Sequence, residues 1–156
     1  MDLISNLALG FSTALTFANL AYAFAGVLIG TLIGVLPGIG PVATLAMLLP
    51  ITYTLEPTSA LIMLAGIYYG AQYGGSTTSI LINTPGDAAS SVTTLDGYPM
   101  AKRGQGGVAL ATAAIGSFIG GTVSVIAVML ISPFLAETAL KFGAPEMFAL
   151  LFFAFT

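Results

Sequence analysis

The run of residues 20–41 reads LAYAFAGVLIGTLIGVLPGIGP and holds no charged side chain. It lies within a charge-free stretch over residues 3–55, and two further charge-free stretches cover residues 57–86 and 104–136. Each is longer than the roughly 20 apolar residues that cross a bilayer. Only nine of the 156 residues are charged, whereas a soluble domain has roughly a quarter. We therefore predict an all-α membrane protein with helices broken by proline and glycine.

Prolines and glycines divide these stretches into segments. The sequence Pro37-Gly38-Ile39-Gly40-Pro41 should end any helix, because proline removes a backbone donor and glycine weakens helical structure. Glu56 followed by Pro57 is typical of a helix start at a water-facing edge. We predict a short interfacial segment at residues 3–15, and crossings or half-crossings at residues 20–36, 42–55 and 59–73.

A second interruption is predicted where the third segment ends. Apolar character stops abruptly at Gly74-Gly75-Ser76-Thr77-Thr78-Ser79, which we expect to be unwound or re-entrant. A short apolar patch at residues 80–82 precedes the turn sequence Asn83-Thr84-Pro85-Gly86. Residues 87–107 hold four of the nine charges and predict an extramembrane loop. A crossing at residues 108–131 should follow.

The charges and the chain ends set the remaining expectations. Lys102-Arg103 outnumbers the lone Lys141, so the loop at 87–107 is predicted to be cytoplasmic. Ala21-Tyr22-Ala23 imitates a signal cleavage site, but no Lys or Arg precedes it, so we expect the segment to remain. The last segment, residues 147–156, is about half a crossing long. We expect residues 1–156 to be a single membrane domain, the N-terminal part of a longer transporter subunit.

Glycines recur at every fourth position in two ladders. The first comprises Gly26, Gly30, Gly34 and Gly38, the second Gly66, Gly70 and Gly74, and Gly116 with Gly120 forms a shorter instance. This spacing predicts close helix packing in lipid. The two long ladders are offset by 40 residues and both end at a predicted break, which hints at an internal repeat.

The two predicted breaks are the candidate binding site. Irregular backbone at membrane depth is tolerated where it is buried in protein or lines an aqueous cavity. In secondary transporters the amides of broken helices face anionic groups, while freed carbonyls and hydroxyls hold the coupling cation. We expect the amides of residues 38–40 and 74–77 to be such donors. The alternative is that residues 74–86 are only a surface turn rich in small polar residues.

The composition argues against several other classes of protein. There is no cysteine, histidine or tryptophan, so no disulfide, thiolate metal site or histidine base can form. Gly38-Ile39-Gly40 lacks the Lys-Ser/Thr of a nucleotide loop, and Ser76 lacks a His and an acid to activate it. There is no basic stripe for nucleic acid. We expect no enzyme, no catalytic residue, no bound metal and no nucleic-acid partner.

Three motifs carry a family resemblance. They are GVLPGIGP at residues 34–41, GIYYGAQYGGSTTSILINTPG at 66–86 and LDGYPMA at 95–101. Together and in this order they resemble the large membrane subunit of the tripartite tricarboxylate transporter family. The resemblance implies a multi-pass protein of the bacterial inner (plasma) membrane. It implies symport of citrate-like carboxylates driven by an ion gradient, with sodium or protons as the coupling ion and no cofactor. It also implies two partners, a small membrane subunit and a periplasmic solute-binding protein.

By motif, the resemblance assigns substrate and ion contacts to the two breaks, with a transported sodium expected at Ser76, Thr77 and Asn83. The predicted contact residues are Pro37, Gly38, Gly40, Pro41, Gly74, Gly75, Ser76, Thr77, Thr78, Ser79, Asn83, Thr84, Pro85 and Gly86. Two other functions stay open. One is a non-transporting membrane assembly or scaffold fragment. The other is a channel, which is disfavoured because no ring of charge or repeated filter is evident.

Overall fold

A computed structural model describes residues 3–139 and 143–154 of the chain. Lys141 and the last two residues of the predicted final segment lie outside this part. The described residues form helices joined by turns, without a strand, which confirms the all-α prediction. In chain order the elements are α1 (Leu3–Ala14), α2 (Phe17–Gly34), α3 (Gly40–Leu48), a 3₁₀ turn (Leu49–Thr54), α4 (Pro57–Ile82), α5 (Ser91–Met100), a π turn (Ala101–Gln105), α6 (Gly106–Ala139) and α7 (Ala144–Ala154).

Among the described residues, two helical stretches are long and apolar enough to cross a membrane. They are Phe17–Gly34 and Ser91–Ser132, and the apolar helices Gly40–Thr54 and Pro145–Ala154 are shorter. The predicted break after α2 is confirmed, since residues 35–39 are a turn. The predicted helix start is also confirmed, because Glu56 caps α4 and Pro57 is its first residue. Proline suits that position, where its missing N–H costs no helical hydrogen bond.

The predicted break at residues 74–79 is wrong, because α4 continues through it to Ile82. Gly74 is held in the helix by close packing against α2, beside Thr31 and Gly34. The hydroxyl groups that follow donate to carbonyls of the preceding turn rather than unwinding it. The chain leaves the helix later, at Asn83, whose φ of 58° is left-handed. Asparagine is the residue that adopts this conformation most readily after glycine.

The prediction of a loop over residues 87–107 is also wrong. Ser91–Met100 is helical, and the π turn, which is kinked at Gly104 (φ 79°), leads into α6. This polar segment is helical because it packs on α4, where Gly97 lies so close to Ile80 that a methyl group would overlap it. Only residues 83–90 separate the two helices. Helix α6 likewise extends beyond the predicted crossing at 108–131.

The two glycine ladders form one seam between α2 and α4. Gly26 lies against Met63, Gly30 against Ile67 and Gly34 against Ala71. Because both series of numbers rise together, the two helices run parallel. The packing role predicted for the ladders is confirmed for Gly26, Gly30, Gly34, Gly66, Gly70 and Gly74, since small residues let two backbones approach closely. Gly38, the last member of the first ladder, lies in the turn after α2, and no described neighbour is within 4 Å of a Cβ built there. Gly116 and Gly120 differ, because no described atom of a neighbouring element lies within 4 Å of a Cβ built there.

The contacts across this seam are reciprocal, which supports the internal repeat. Gly26 packs on Met63. Forty positions after Gly26, Gly66 packs on Ala23, which lies forty positions before Met63. Each residue of the first contact therefore has its repeat equivalent in the second. The helices begin at Phe17 and Pro57, again forty apart. A local two-fold axis parallel to the helices therefore relates α2 to the first part of α4.

A polar pair at equivalent repeat positions closes the start of the helix pair. Ser59 Oγ donates a hydrogen bond of 2.6 Å to Asn19 Oδ1, and Asn19 Nδ2 donates one of 2.8 Å to the Thr13 carbonyl. Asn19 is buried. Since α2 and α4 are parallel, α3 and the 3₁₀ turn must run back between the end of α2 and the start of α4. This return brings the start of α3 to the same end as the turn that follows α4.

Residue contacts divide the chain into two units, residues 1–114 and 115–156. The first holds the helix pair described above. In the second, apolar side chains on α6 and α7 are exposed, among them Phe118, Val123 and Phe148. A helix that is apolar all round is typical of a membrane span. The composition of the second unit therefore suits lipid or neighbouring helices rather than water.

Candidate functional site

The turns that follow α2 and α4 meet at one place, which we call the glycine junction and define as Gly34, Gly40, Gly75, Gly86 and Asp87. A Cβ built on Gly86 would lie 2.5 Å from Gly75 Cα and 3.3 Å from the Gly34 carbonyl oxygen. One built on Gly40 would lie 3.4 Å from Asp87 Cβ. The structure therefore brings two of the predicted segments together, residues 37–41 and 83–86.

The first of these turns depends on glycine. Gly38 and Gly40 have φ values of 85° and 65°, which side chains rarely adopt. Gly40 and Pro41 then begin α3, where the first amides of a helix have no acceptor within it. Pro41 is buried, whereas Pro37 and Gly38 are exposed. This turn can therefore present the free amides at the start of α3 to a ligand.

The second turn is fixed by a reciprocal pair of hydrogen bonds. The Ser90 amide donates to Asp87 Oδ1 at 2.8 Å, and the Asp87 amide donates to Ser90 Oγ at 3.1 Å. Gly86 is buried and Pro85 half-buried, while Asn83 and Thr84 are exposed. Asp87 thus places one carboxylate beside the start of α3. That position is favourable for a negative charge, because a helix N-terminus is partly positive.

The hydroxyl groups on the last turns of α4 donate to its own backbone. Ser76 Oγ donates to the Gln72 carbonyl at 3.1 Å and Thr77 Oγ1 to the Tyr73 carbonyl at 3.0 Å. Thr78 Oγ1 and Ser79 Oγ both donate to the Gly75 carbonyl, at 3.0 and 2.9 Å. A hydroxyl has one proton, so these oxygens keep only lone pairs for a ligand.

This geometry corrects one part of the prediction for residues 74–79, the availability of their backbone amides. Their amides lie inside α4, so the amides of residues 74–77 are not the free donors that the sequence predicted. Their hydroxyl protons are also committed, so they cannot donate to a carboxylate without giving up a bond. Ser79 and Thr78 are buried, and Ser76 and Thr77 are half-buried. What these residues offer in this arrangement is a set of acceptor oxygens.

Sequence reasoning missed Gln72, which lies on α4 one turn before Ser76. Its Oε1 atom is buried and has no hydrogen-bond partner among the described residues, although the side chain as a whole is half-buried. Buried polar atoms in folded proteins nearly always have a partner. One signal was available in the sequence. Gln72 is the only carboxamide within the otherwise apolar and glycine-rich run of residues 60–75.

The positive charges of the described chain lie in the π turn. Lys102 and Arg103 are exposed there, and Lys102 Nζ is 5.1 Å from the ring centroid of Tyr98. The turns at the glycine junction contribute the carboxylate of Asp87 and no Lys or Arg of their own. Any anion bound at the junction would therefore depend on amides, or on a cation bound with it.

A separate cleft lies beside α3 and α4. It has a volume of about 390 Å³ and is lined by Leu45, Leu49, Leu64 and other apolar side chains, with Tyr68 at its edge. Such a lining cannot compensate a buried carboxylate. The glycine junction, with its amides, carboxylate and acceptor oxygens, is therefore the better candidate for a polar ligand.

Comparison with known proteins gives one family and one close relative. The sequence pattern described as the Tripartite tricarboxylate transporter TctA family matches residues 20–156. The chain is similar to an uncharacterized 52.8 kDa protein in the TAR-I ttuC' 3' region of Agrobacterium vitis, with 66% identity over 151 residues. That alignment covers 97% of this chain and 30% of the relative, so the chain spans about a third of that protein's length. No solved structure matches.

Proposed function

Because this chain belongs to the TctA family of tripartite tricarboxylate transporters, we propose that it is a membrane component of a secondary transporter driven by an ion gradient. Its substrates would be tricarboxylates or related carboxylates such as citrate. The observation that carries the proposal is the family match, which includes both turns of the glycine junction. Irregular backbone that meets between apolar helices is typical of transporter binding sites.

The proposed site uses the two turns in different ways. The start of α3 offers free amides to a carboxylate, as helix N-termini do elsewhere. Gly40 contributes one of them, whereas Pro41 has no N–H to donate. The acceptor oxygens of Ser76, Thr77, Thr78 and Ser79 point to different sides of α4, and those on the side of Ser76 would serve a coupling cation rather than the anion. The path by which a ligand reaches the site would be shaped by Pro37, Gly38, Asn83, Thr84, Pro85 and Gly86. Gly74 and Gly75 would keep this path close to α2.

The family also suggests where the protein works and with which partners. We propose a multi-pass protein of the bacterial inner membrane, acting by symport. A small membrane subunit and a periplasmic solute-binding protein would complete the complex, and the binding protein would deliver the substrate. The exposed apolar surfaces of α6 and α7 are compatible with contacts to further membrane helices.

Uptake in proteoliposomes tests the proposed function. The reconstituted complex would be given a panel of labelled di- and tricarboxylates, with the binding protein, under a sodium gradient, a proton gradient or no gradient. We expect saturable uptake of at least one carboxylate that requires both the binding protein and a gradient. A complex that assembles normally but takes up none of the panel would instead favour a non-transporting assembly. Uptake that follows the substrate gradient alone would favour a channel.

We predict that the π turn faces the cytoplasm. A cysteine introduced by Gln105→Cys should resist a membrane-impermeant thiol reagent in intact cells and react after permeabilisation. The reason is Lys102-Arg103, since cytoplasmic segments carry an excess of basic residues. The chain has no native cysteine, so labelling is specific to the introduced thiol.

Glu56→Cys is the matched control for this topology. Helix α4 has 26 residues and is therefore about 39 Å long, so its two ends can lie at opposite faces of a bilayer. Glu56 precedes its start, whereas Gly106, next to Gln105, lies near Leu81 at its end. We expect the thiol at position 56 to react in intact cells. The reverse pattern would invert the topology.

A further inference from the structure

The buried carboxamide oxygen of Gln72 requires a partner that the described protein atoms do not supply. Its Oε1 is shielded by the protein and makes no hydrogen bond within the described residues. Leaving a buried acceptor unsatisfied costs about 1–3 kcal/mol. A folded protein keeps an acceptor atom in such a place most readily where a ligand binds to that atom.

The groups around Gln72 select the kind of ligand. Ser76, one turn later on α4, has already donated its proton to the Gln72 carbonyl, so its oxygen can only accept. Gln72 and Ser76 are four positions apart on α4 and therefore share one face of the helix. The two oxygens on this face, Gln72 Oε1 and Ser76 Oγ, can only accept. Two acceptors attract a cation and repel a carboxylate.

We infer that Gln72 Oε1 is a ligand of the coupling cation, together with Ser76 Oγ, and that this cation is an alkali metal ion rather than a proton. The inference rests on the proposed transport function and deepens it. A neutral carboxamide does not take up a proton near neutral pH, whereas its oxygen coordinates hard cations well.

The cation dependence of uptake by the complete transport complex tests this inference, with sodium as the probe. Gln72→Leu removes the oxygen at nearly constant volume. It should raise the half-saturating sodium concentration about tenfold or more, since one lost ligand interaction is worth at least a factor of ten. The KM for the carboxylate, measured at saturating sodium, should change less than about twofold. Gln105→Leu makes the same chemical change at an exposed position and should leave both values unaltered.

Gln72→Glu distinguishes a cation ligand from a substrate donor. A glutamate keeps an acceptor oxygen and adds negative charge, so sodium affinity should be retained or increased. If the carboxamide instead donated to the substrate, this change would abolish carboxylate binding and leave sodium dependence intact, which would overturn the inference. An unchanged sodium dependence in Gln72→Leu would overturn it as well. If Gln72→Leu fails to assemble, Gln72→Glu and direct binding of radioactive sodium to the unaltered complex decide the matter.

The unaltered complex separates failure of this inference from failure of the proposed function. Uptake that proceeds equally in sodium, lithium, potassium or choline buffer, driven by a pH gradient alone, would reject the alkali cation and leave transport standing. Absence of any carboxylate uptake, together with absence of sodium binding, would reject both. Sodium binding to the complex that is lost in Gln72→Leu would support the cation site by a readout independent of uptake.

Discussion

Gly70→Leu should prevent α2 and α4 from packing, and we expect the altered protein to unfold at a much lower temperature or to fail to assemble. A Cβ on Gly70 would overlap the backbone carbonyl of Val27 and crowd the Thr31 amide. Backbone atoms within a helix cannot rotate away as a side chain can. Overpacking of this kind costs about 1–3 kcal/mol or more, against a total stability of about 5–15 kcal/mol. Thermal unfolding and size-exclusion chromatography of the purified subunit measure the effect.

Gly116→Leu is the matched control. It makes the same change in a helix, at a position where no described atom of a neighbouring element lies within 4 Å of an added Cβ. Leucine is a better helix former than glycine, by somewhat less than the about 0.8–1 kcal/mol that separates alanine from glycine. Both variants therefore gain the same propensity and differ in packing. We expect Gly116→Leu to be neutral or slightly stabilising. Equal unfolding temperatures for the two variants would contradict the close packing of α2 on α4 at the glycine seam.

The seam could be predicted from the sequence because a four-residue glycine spacing has one simple structural meaning in an apolar helix. Gly26, Gly30 and Gly34 lie on one helix face whatever else the chain does. The turn after α2 could also be predicted, since Pro37 and Pro41 each remove an amide that a continuous helix would need. In both cases the local chemistry leaves few alternatives.

The end of α4 could not be predicted in the same way. Gly74-Gly75 followed by four hydroxyl residues is equally compatible with a break and with a helix whose glycines face a partner. The structure shows the second arrangement, in which Gly74 packs on α2 and the hydroxyls of Ser76 and Ser79 bond back to the helix. The choice depends on contacts with α2 that are distant in sequence. The prediction of a loop over residues 87–107 rested on polar composition and was wrong for a similar reason. That segment is helical because of contacts with α4.

The candidate site was predictable in its parts but not in its assembly. Both turn sequences could be identified from proline and glycine, yet nothing local indicates that Gly86 returns to lie on Gly75. The acceptor role of the α4 hydroxyls depends on where their protons point. Gln72 becomes conspicuous only through the burial of its Oε1 atom. These features are properties of the folded pair of turns.

Gly86→Ala should disrupt transport while leaving the helix pair intact. A single methyl group there would lie 2.5 Å from Gly75 Cα and 3.3 Å from the Gly34 carbonyl oxygen. The turn must then move away from α4 and carry Asp87 and the start of α3 with it. If this misplacement costs about 1–3 kcal/mol of binding free energy, the loss in substrate or cation affinity would be roughly 5- to 150-fold. Uptake by the reconstituted complex and binding of the carboxylate measure it.

A graded series separates displacement of this turn from a general effect of adding a methyl group. Gly75→Ala places its methyl 3.3 Å from Gly86 Cα, a tight contact that a small shift can relieve, so its loss should be smaller. Gly107→Ala adds the methyl where no described neighbour lies within 4 Å and should transport normally. The expected order of loss in transport is therefore Gly86→Ala, then Gly75→Ala, then Gly107→Ala. None of the three should lower the unfolding temperature as much as Gly70→Leu does. If Gly86→Ala transports as well as Gly107→Ala, close contact of the two turns is only a packing feature and the substrate binds elsewhere. If it lowers the unfolding temperature as strongly as Gly70→Leu, the junction supports the fold rather than the site.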